Sequence, residues 1–507
     1  MPTDHSLRSY QTKLYCLFSL LILASITCLV LSLFLLSYTP GVRQVAPITL
    51  LGGMPSAWET PPANSPITTH VGSPSRKSFR WNSGERYLAY LPHSGFHNQR
   101  IALENALVLA RILNRTLLIP PVRLGNNLIS YHKFDDLYSL LIHSGKQGSL
   151  HCSKLAVDVS PPSECWDYFD YTFVSWDWLV DLSTVAAEQS IFHESFTHPW
   201  LEDLPRDTDT LTIKDQTAYD FRFVDYTPAL DLAPHPRYLI SYPISTLAAS
   251  SVQLVQLGTL FGSARLHFTD RGNLAARTAI RERMAFANPH LRTASLAAAN
   301  ALGGQDTFLA AHVRLSNGPF RATRERTVRS IWYRLVACAL RSFNTSAGSS
   351  AEIHALERLL VPVNAVLPPP REVLVDSVAP ARWAIPGPVP IYCVGKAHEE
   401  RELAPLNVPL FLATDVEDAP ALAPFRAAFP CTVLLRDLAD VPEVHKLNRL
   451  VSAEEGVPLA PFLAPLLDAA IAARAWAVVG TEGSTFSTYV VDLLWQREHG
   501  RQIVQRG

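Results

Sequence analysis

Thr307-Phe308-Leu309-Ala310-Ala311-His312-Val313-Arg314 is the stretch whose reading decides the fold. It is a short apolar run, which reads as a buried strand, and it closes on a histidine and an arginine. In an open α/β sheet the carboxyl end of such a strand faces the ligand crevice. A guanidinium at that end is planar, permanently charged and able to take two oxygens at once, which suits a diphosphate better than an ammonium does. The competing reading has Arg314 cap the strand and pair with a surface carboxylate. The strand alone does not choose between them.

Toward the C-terminus, 327–343 reads as a helix and 344–390 as a proline-rich surface insertion around one short helical patch. Regular α/β signals resume at 391–394. Residues 409–413 form a further strand ending on Thr414-Asp415, where a carboxylate can take two N–H groups from a guanine edge, bond a ribose, or cap the next helix. Residues 432–435 continue the sheet, and 459–475 is an alanine-rich helix. A strand at 476–480 then leads into the loop Thr481-Glu482-Gly483-Ser484-Thr485-Phe486-Ser487 and a helix starting at Tyr489. Hydroxyls and a glycine at a helix start make a diphosphate cradle, because free N–H groups converge where the dipole is positive. The loop has neither the lysine nor the spacing of a Walker motif, which argues against a kinase or ATPase.

Toward the N-terminus, 86–91 reads as a strand, Pro92-His93-Ser94-Gly95-Phe96-His97-Asn98 as a loop, and a helix runs from Gln99 with Leu103, Ala106, Leu107, Ala110 and Leu113 on one face. Residues 116–119 return as a strand, stopped by Pro120-Pro121. This is a βαβ unit, whose first loop opens beside the crevice. Gly95 lets backbone approach a ligand; the alternative is an ordinary turn with Asn98 as the helix N-cap. Beyond it, Trp166, Tyr168, Phe169, Tyr171, Phe173, Trp176 and Trp178 are expected mostly in the core, a minority lining an acceptor groove. Asp207-Thr208-Asp209 has the form many glycosyltransferases use to hold a divalent metal, but no hydrophobic strand precedes it and it reads as surface loop.

The chain of 507 residues is too long for one core, so about two domains are expected. A net charge of −1 argues against broad nucleic-acid binding and leaves any anionic ligand to local groups. Residues 14–36 carry no charge and are long enough to span a bilayer. Arg8 and Lys13 precede them, which places a tail of residues 1–13 in the cytosol and the bulk in the lumen. A cleaved signal peptide is the alternative, but the apolar run exceeds the usual core of one. Residues 37–84 read as an extended stem. Of the 7 cysteines, Cys16 and Cys28 lie in the apolar run. Cys152 and Cys165 bracket a short loop and make the expected disulfide, worth about 3 kcal/mol in the loop-entropy picture. Asn114 and Asn344 head glycosylation sequons.

Taken in order, Ser94-Gly95-Phe96-His97-Asn98-Gln99, His312-Val313-Arg314, Ala413-Thr414-Asp415 and Glu482-Gly483-Ser484-Thr485-Phe486-Ser487 resemble the motifs of the GDP-fucose protein O-fucosyltransferase family. Leu113-Asn114-Arg115-Thr116-Leu117 with Pro120-Pro121 is similar to that family's first βαβ unit. The resemblance implies a GT-B-like α/β fold of two Rossmann-like domains facing across a cleft. The N-terminal domain, 85–300, would lie on the acceptor side and the C-terminal domain, 301–507, on the GDP-fucose side, after a membrane anchor and stem. It also implies that no metal is needed.

Arg314 and Asn98 would be the catalytic pair, with Arg314 on the β-phosphate supplying about 3–4 kcal/mol toward the departing GDP. His312 would contact the nucleotide and Asp415 the guanine or ribose. Ser484, Thr485 and Phe486 would hold the diphosphate and sugar end, and Gly95 and Phe96 would reach the same ligand from the other domain. The reaction implied is inverting transfer of fucose to a Ser/Thr hydroxyl of a protein in the endoplasmic reticulum or Golgi. The alternatives are transfer to a glycan or wall polysaccharide, and a catalytically weak lumenal GDP-sugar-binding protein. Two departures stand out: Ser94 occupies the place where one branch has a glutamate base, and Leu315-Ser316-Asn317-Gly318 lacks the acidic residue often found after the arginine.

Overall fold

The computed structural model describes residues 69–71, 81–82, 84–126, 128–155, 160–193, 208–226, 236–316, 318–343, 348–360, 384–385, 391–393, 395–416 and 419–505. The expected membrane segment at 14–36 lies outside them, as does Asn344. Among the described residues no helix is long and apolar enough to cross a membrane. Residues 57–507 form one compact unit.

Two parallel sheets organise this unit. The first is built from β1 (Tyr87–Ala89), β2 (Thr116–Ile119), β3 (Ile191–His193), β4 (Thr210–Ile213) and β5 (Leu254–Leu257), in the order β3-β2-β1-β5-β4. The second comprises β6 (Leu309–Val313), β7 (Leu410–Thr414), β8 (Thr432–Val433) and β9 (Ala477–Gly480), in the order β8-β7-β6-β9. β6 is central and buried at every position, as a strand covered on both faces must be. Each alternation of strand and helix returns the chain to the same edge, so the ligand-facing loops of a sheet gather at its carboxyl ends.

Five helices matter here: α1 (Phe96–Leu113), α2 (Pro289–Ala301), α3 (Arg324–Phe343), α4 (Ala460–Ala472) and α5 (Thr485–Tyr489). The stripe Leu103, Ala106, Leu107, Ala110 and Leu113 is buried as its spacing requires. Arg100, Glu104 and Asn105 of α1 are buried too, and they remain tolerable because they are paired. Arg100 meets Glu104 at 2.7 Å, Arg281 meets Glu104 at 3.4 Å, and the Asn105 amide donates to the carbonyls of Leu260 and Gly262. The Asn288 side chain caps α2 by accepting from Leu291 N–H, with Pro289 at the first helical position. Although all of α2 but its last residue falls before the expected domain boundary at 301, it packs on α4 of the second half. One buried apolar cluster consequently runs from Leu88 and α1 through α2 and α4 to Tyr489, and another, with α3, covers the second sheet's far face.

Several local readings need correction. α1 begins at Phe96, with Gly95 as its N-cap, so Asn98 is not the cap but sits in the first turn. Ile391–Tyr392 pairs antiparallel with Ala384–Ile385 rather than joining the second sheet. Within the stretch read as stem, Thr69–Val71 forms a strand parallel to Leu450–Ser452, which sews that part of the stem to the folded body. In the aromatic region Tyr168 and Trp176 are buried, but Trp166 is 70% exposed and Phe169 44%.

Candidate active site

The site grows from the register of β6. His312 lies opposite Ala413 of β7 and Gly480 of β9, and Arg314 is the first residue past the strand. The Arg314 N–H donates to Thr481 Oγ1 at 2.9 Å, and the Thr481 hydroxyl donates to the His312 carbonyl at 3.1 Å. The arginine-bearing turn is thereby locked to the hydroxyl-rich loop after β9. Ser487 Oγ accepts from Thr481 N–H at 3.0 Å and lies 2.7 Å from His312 Nδ1. Burial is the main reason the ring stays neutral: it lowers the pKa to about 4, with Arg314 pulling the same way and Asp415 opposing. This close approach requires Gly480, where a Cβ would lie 2.7 Å from Cβ of Ser487.

The Arg314 guanidinium lies over the Phe320 ring, 4.7 Å from its centroid. Asp415, at the end of β7, holds the turn that follows Arg314. Its Oδ1 accepts from Leu315 N–H at 2.7 Å, and its Oδ2 accepts from Ser316 N–H at 3.1 Å and from the Ser316 hydroxyl at 2.6 Å. The carboxylate missing from the sequence just after Arg314 is thus supplied by a strand 100 positions later.

The opposite wall is the start of α1. Asn98 Oδ1 accepts from the Thr485 hydroxyl at 3.4 Å, and Phe96 is buried against Trp176, Phe286 and Tyr489. Phe486 stacks on His312, with centroids 4.4 Å apart, and receives the edge of His97 at 4.0 Å. Gly95, Phe96, Asn98, His312, Arg314, Ser484, Thr485 and Phe486 are therefore brought to one region, with Asp415 beside it. Ser484 is buried and spends its oxygen capping α5, accepting from Ser487 N–H at 3.3 Å. Thr485 is half-buried, and Gly483, at φ +73°, is exposed. A fixed cation, a hydroxyl turn and a neutral imidazole can together hold a diphosphate while shielding it from water.

Sequence reasoning assigned no role to His97, Arg100 or Tyr489. Arg100 lies 4.9 Å over the Tyr489 ring, and both ring nitrogens of His97 are buried without a hydrogen-bond partner among the described residues. Burial holds the His97 pKa well below its ordinary value, and Arg100, His312 and Arg314 add to that. The available signal was the helical spacing of His97, Arg100 and Glu104, which places three polar residues along one line of α1 beside Leu103 and Leu107.

Away from the site, Cys152 and Cys165 form a disulfide, and Cys393 bonds Cys431 in a second one that the sequence did not suggest. His151 Nε2 lies 3.7 and 3.6 Å from the sulfurs of Cys152 and Cys165, but those sulfurs are already joined. Asn114 is exposed at the C-cap of α1, while Thr116 of its sequon donates its hydroxyl to Glu85. Asp207 lies outside the described residues, and Thr208 and Asp209 lead directly into β4.

Paired parallel sheets with an arginine and a hydroxyl-lined turn at the carboxyl ends define an α/β protein with a crevice fit for an anionic ligand. Residues 87–318 match the family model described as GDP-fucose protein O-fucosyltransferase. Over 39 residues it is 59% identical to O-fucosyltransferase 30 of Arabidopsis thaliana, a segment covering 8% of each protein. Among solved structures, POFUT1 in its apo form is similar at 13% identity and a TM-score of 0.34. POFUT1 in complex with GDP is similar at 14% identity and 0.35. Each comparison covers 83% of this chain and 97% of the other. At those scores the likeness carries no argument, and the fold rests on the sheets described above.

Proposed function

We propose that this chain is a GDP-fucose-dependent glycosyltransferase of GT-B-like architecture that transfers fucose, with inversion and without a metal, to a Ser/Thr hydroxyl of a secretory-pathway protein. The observation that carries it is the meeting of the first turn of α1, at Asn98 and His97, with the 485–486 turn, whose loop also holds the Arg314 backbone through Thr481, within a chain whose residues 87–318 match the family model. GDP-fucose would lie with its diphosphate between Arg314 and the 484–486 turn. Arg314 would offset the charge growing on the departing GDP, and the His312 ring would contact the nucleotide. Asp415 would serve the donor chiefly by fixing the Arg314 turn. The bonds Cys152–Cys165 and Cys393–Cys431 fit an oxidising lumen, and 14–36 would anchor the chain there as a type II membrane protein.

The test is GDP-fucose turnover by the purified full-length chain in EDTA, followed by acceptor arrays of folded protein domains and of glycans. Transfer to a protein with a β-linked product by NMR supports the reading. Transfer to glycans alone reassigns the acceptor, and GDP-fucose binding without turnover leaves a binding protein.

A further inference from the structure

We propose that Ser94 and His93 form the proton-accepting side of this site: Ser94 Oγ bonds the incoming acceptor hydroxyl, and His93 Nδ1 behind it receives the proton. The step rests on the fucosyl-transfer reading above.

Ser94 is one of three non-glycine residues with positive φ among those described, at 62°. A residue with a Cβ adopts that conformation only when its surroundings impose it. Here its N–H donates to the Ile129 carbonyl at 2.6 Å, its carbonyl accepts from the Gln99 amide at 2.9 Å, and its Oγ lies 2.8 Å from His93 Nδ1. Glycine would satisfy the backbone more easily, but it would remove the hydroxyl.

Behind the pair, the carboxyl ends of three neighbouring strands converge. His93 follows β1, Thr259 follows β5 and Asp215 follows β4. His93 Nε2 lies 2.7 Å from Thr259 Oγ1, and Thr259 N–H donates to Asp215 Oδ1 at 3.3 Å. Gly258 is required there, since a Cβ would fall 1.6 Å from Asp215 Oδ1. The tautomer that donates Nε2–H to Thr259 leaves the Nδ1 lone pair facing the Ser94 hydroxyl. Ser94 is half-buried and precedes Asn98 by about one helical turn, and Asn98 meets Thr485 at the donor turn.

The step balances. The acceptor oxygen forms the bond to the anomeric carbon, and the bond from that carbon to the β-phosphate oxygen breaks, its electron pair leaving with GDP. The acceptor proton passes to Ser94 Oγ as Ser94 gives its own to His93 Nδ1, and the imidazolium then loses it to water. Burial and Arg265 hold the His93 pKa at about 4, with the Tyr131 and Phe261 rings against the imidazole and Asp215 reached only through Thr259. Such a weak base is sufficient, because an alcohol oxygen becomes strongly acidic as it gains its new carbon bond, and the low value also makes the imidazolium quick to release its proton.

The experiment compares Ser94→Gly, His93→Gln and the double variant in the full-length chain. Ser94→Gly retains the left-handed turn, so the fold is kept. Expected are a kcat for transfer about 100-fold lower in each single variant, a GDP affinity within about twofold of the parent, and a double variant no slower than either single. Imidazole in the buffer should restore part of the rate of His93→Gly and none of that of Ser94→Gly. A Ser94→Gly kcat within about threefold of the parent, or additive losses in the double variant, overturns the relay while leaving the donor reading in place. A parent that neither binds nor turns over GDP-fucose removes the donor reading and this step with it.

Discussion

The backbone that carries the side chain of Arg314 is held in place, because its own N–H is tied to Thr481 and those of the next two residues are tied to Asp415. Arg314→Ala should therefore lower kcat by about 100- to 1000-fold while the melting temperature stays near that of the parent, and Arg314→Lys should restore only a small part. The check is steady-state kinetics beside a thermal melt. His93 and His312 set a second expectation. Their folded pKa values are about 4 against 6.5 for an unperturbed imidazole. Between those values the unfolded chain binds more protons than the folded one, so stability is complete above about pH 6.5 and falls as the pH drops toward 4. Each histidine accounts for about 3 kcal/mol of that loss by the lower limit. Denaturant titrations at pH 7 and 5 should show it, and His93→Asn should flatten the slope by about one proton.

At the scale of an element, the turn after β6 depends on a carboxylate that belongs to β7. Asp415→Ala should cost about 1–2 kcal/mol, since the bonds it removes are charge-assisted but exposed, and should lower kcat more than its stability loss explains by loosening Arg314. Asp415→Asn should fall between. A variant as active as the parent would detach Asp415 from the arginine's support. Individual elements were largely legible in the letters. β6, β7, β9, α3 and α4 lie where apolar runs and helical spacing put them, because burial on both faces leaves a continuous signature. The start of α1 was misread because Gly95 caps without a side-chain bond, so nothing marks the cap in sequence. The second disulfide escaped because Cys393 and Cys431 are 38 residues apart and meet only where tertiary packing lets Gly395 N–H donate to the Pro430 carbonyl beside them.

For the whole molecule, one buried ion pair joins distant parts of the chain. Lys146 meets Glu455 at 2.9 Å, and both are nearly inaccessible. The ammonium also donates to the carbonyls of Tyr168 and Tyr171, while the carboxylate accepts from the Thr172 hydroxyl at 3.0 Å. Together with the Cys152–Cys165 bridge and Tyr168 packed on Val457, it seats the 146–173 segment on the turn after Leu450–Ser452. Glu455→Gln should destabilise by about 3 kcal/mol, because it strands a buried cation, and Lys146→Met with Glu455→Leu should recover much of that. Denaturant midpoints measure both, and a single variant within about 0.5 kcal/mol of the parent would show the pair to be dispensable.

By itself the sequence determined which residue types could hold a diphosphate and which short runs would become strands, since charge, hydroxyls and apolar periodicity are local properties. It also carried the family resemblance, in the order of its motifs. Only the tertiary structure decided that Asp415 supports the Arg314 turn, that His97 packs on Phe486, and that Ser94 stands before a histidine backed by β4 and β5. Those pairings come from strand order and register, which bring together residues as many as 387 positions apart in the case of Asn98 and Thr485, and no local pattern encodes contacts of that range.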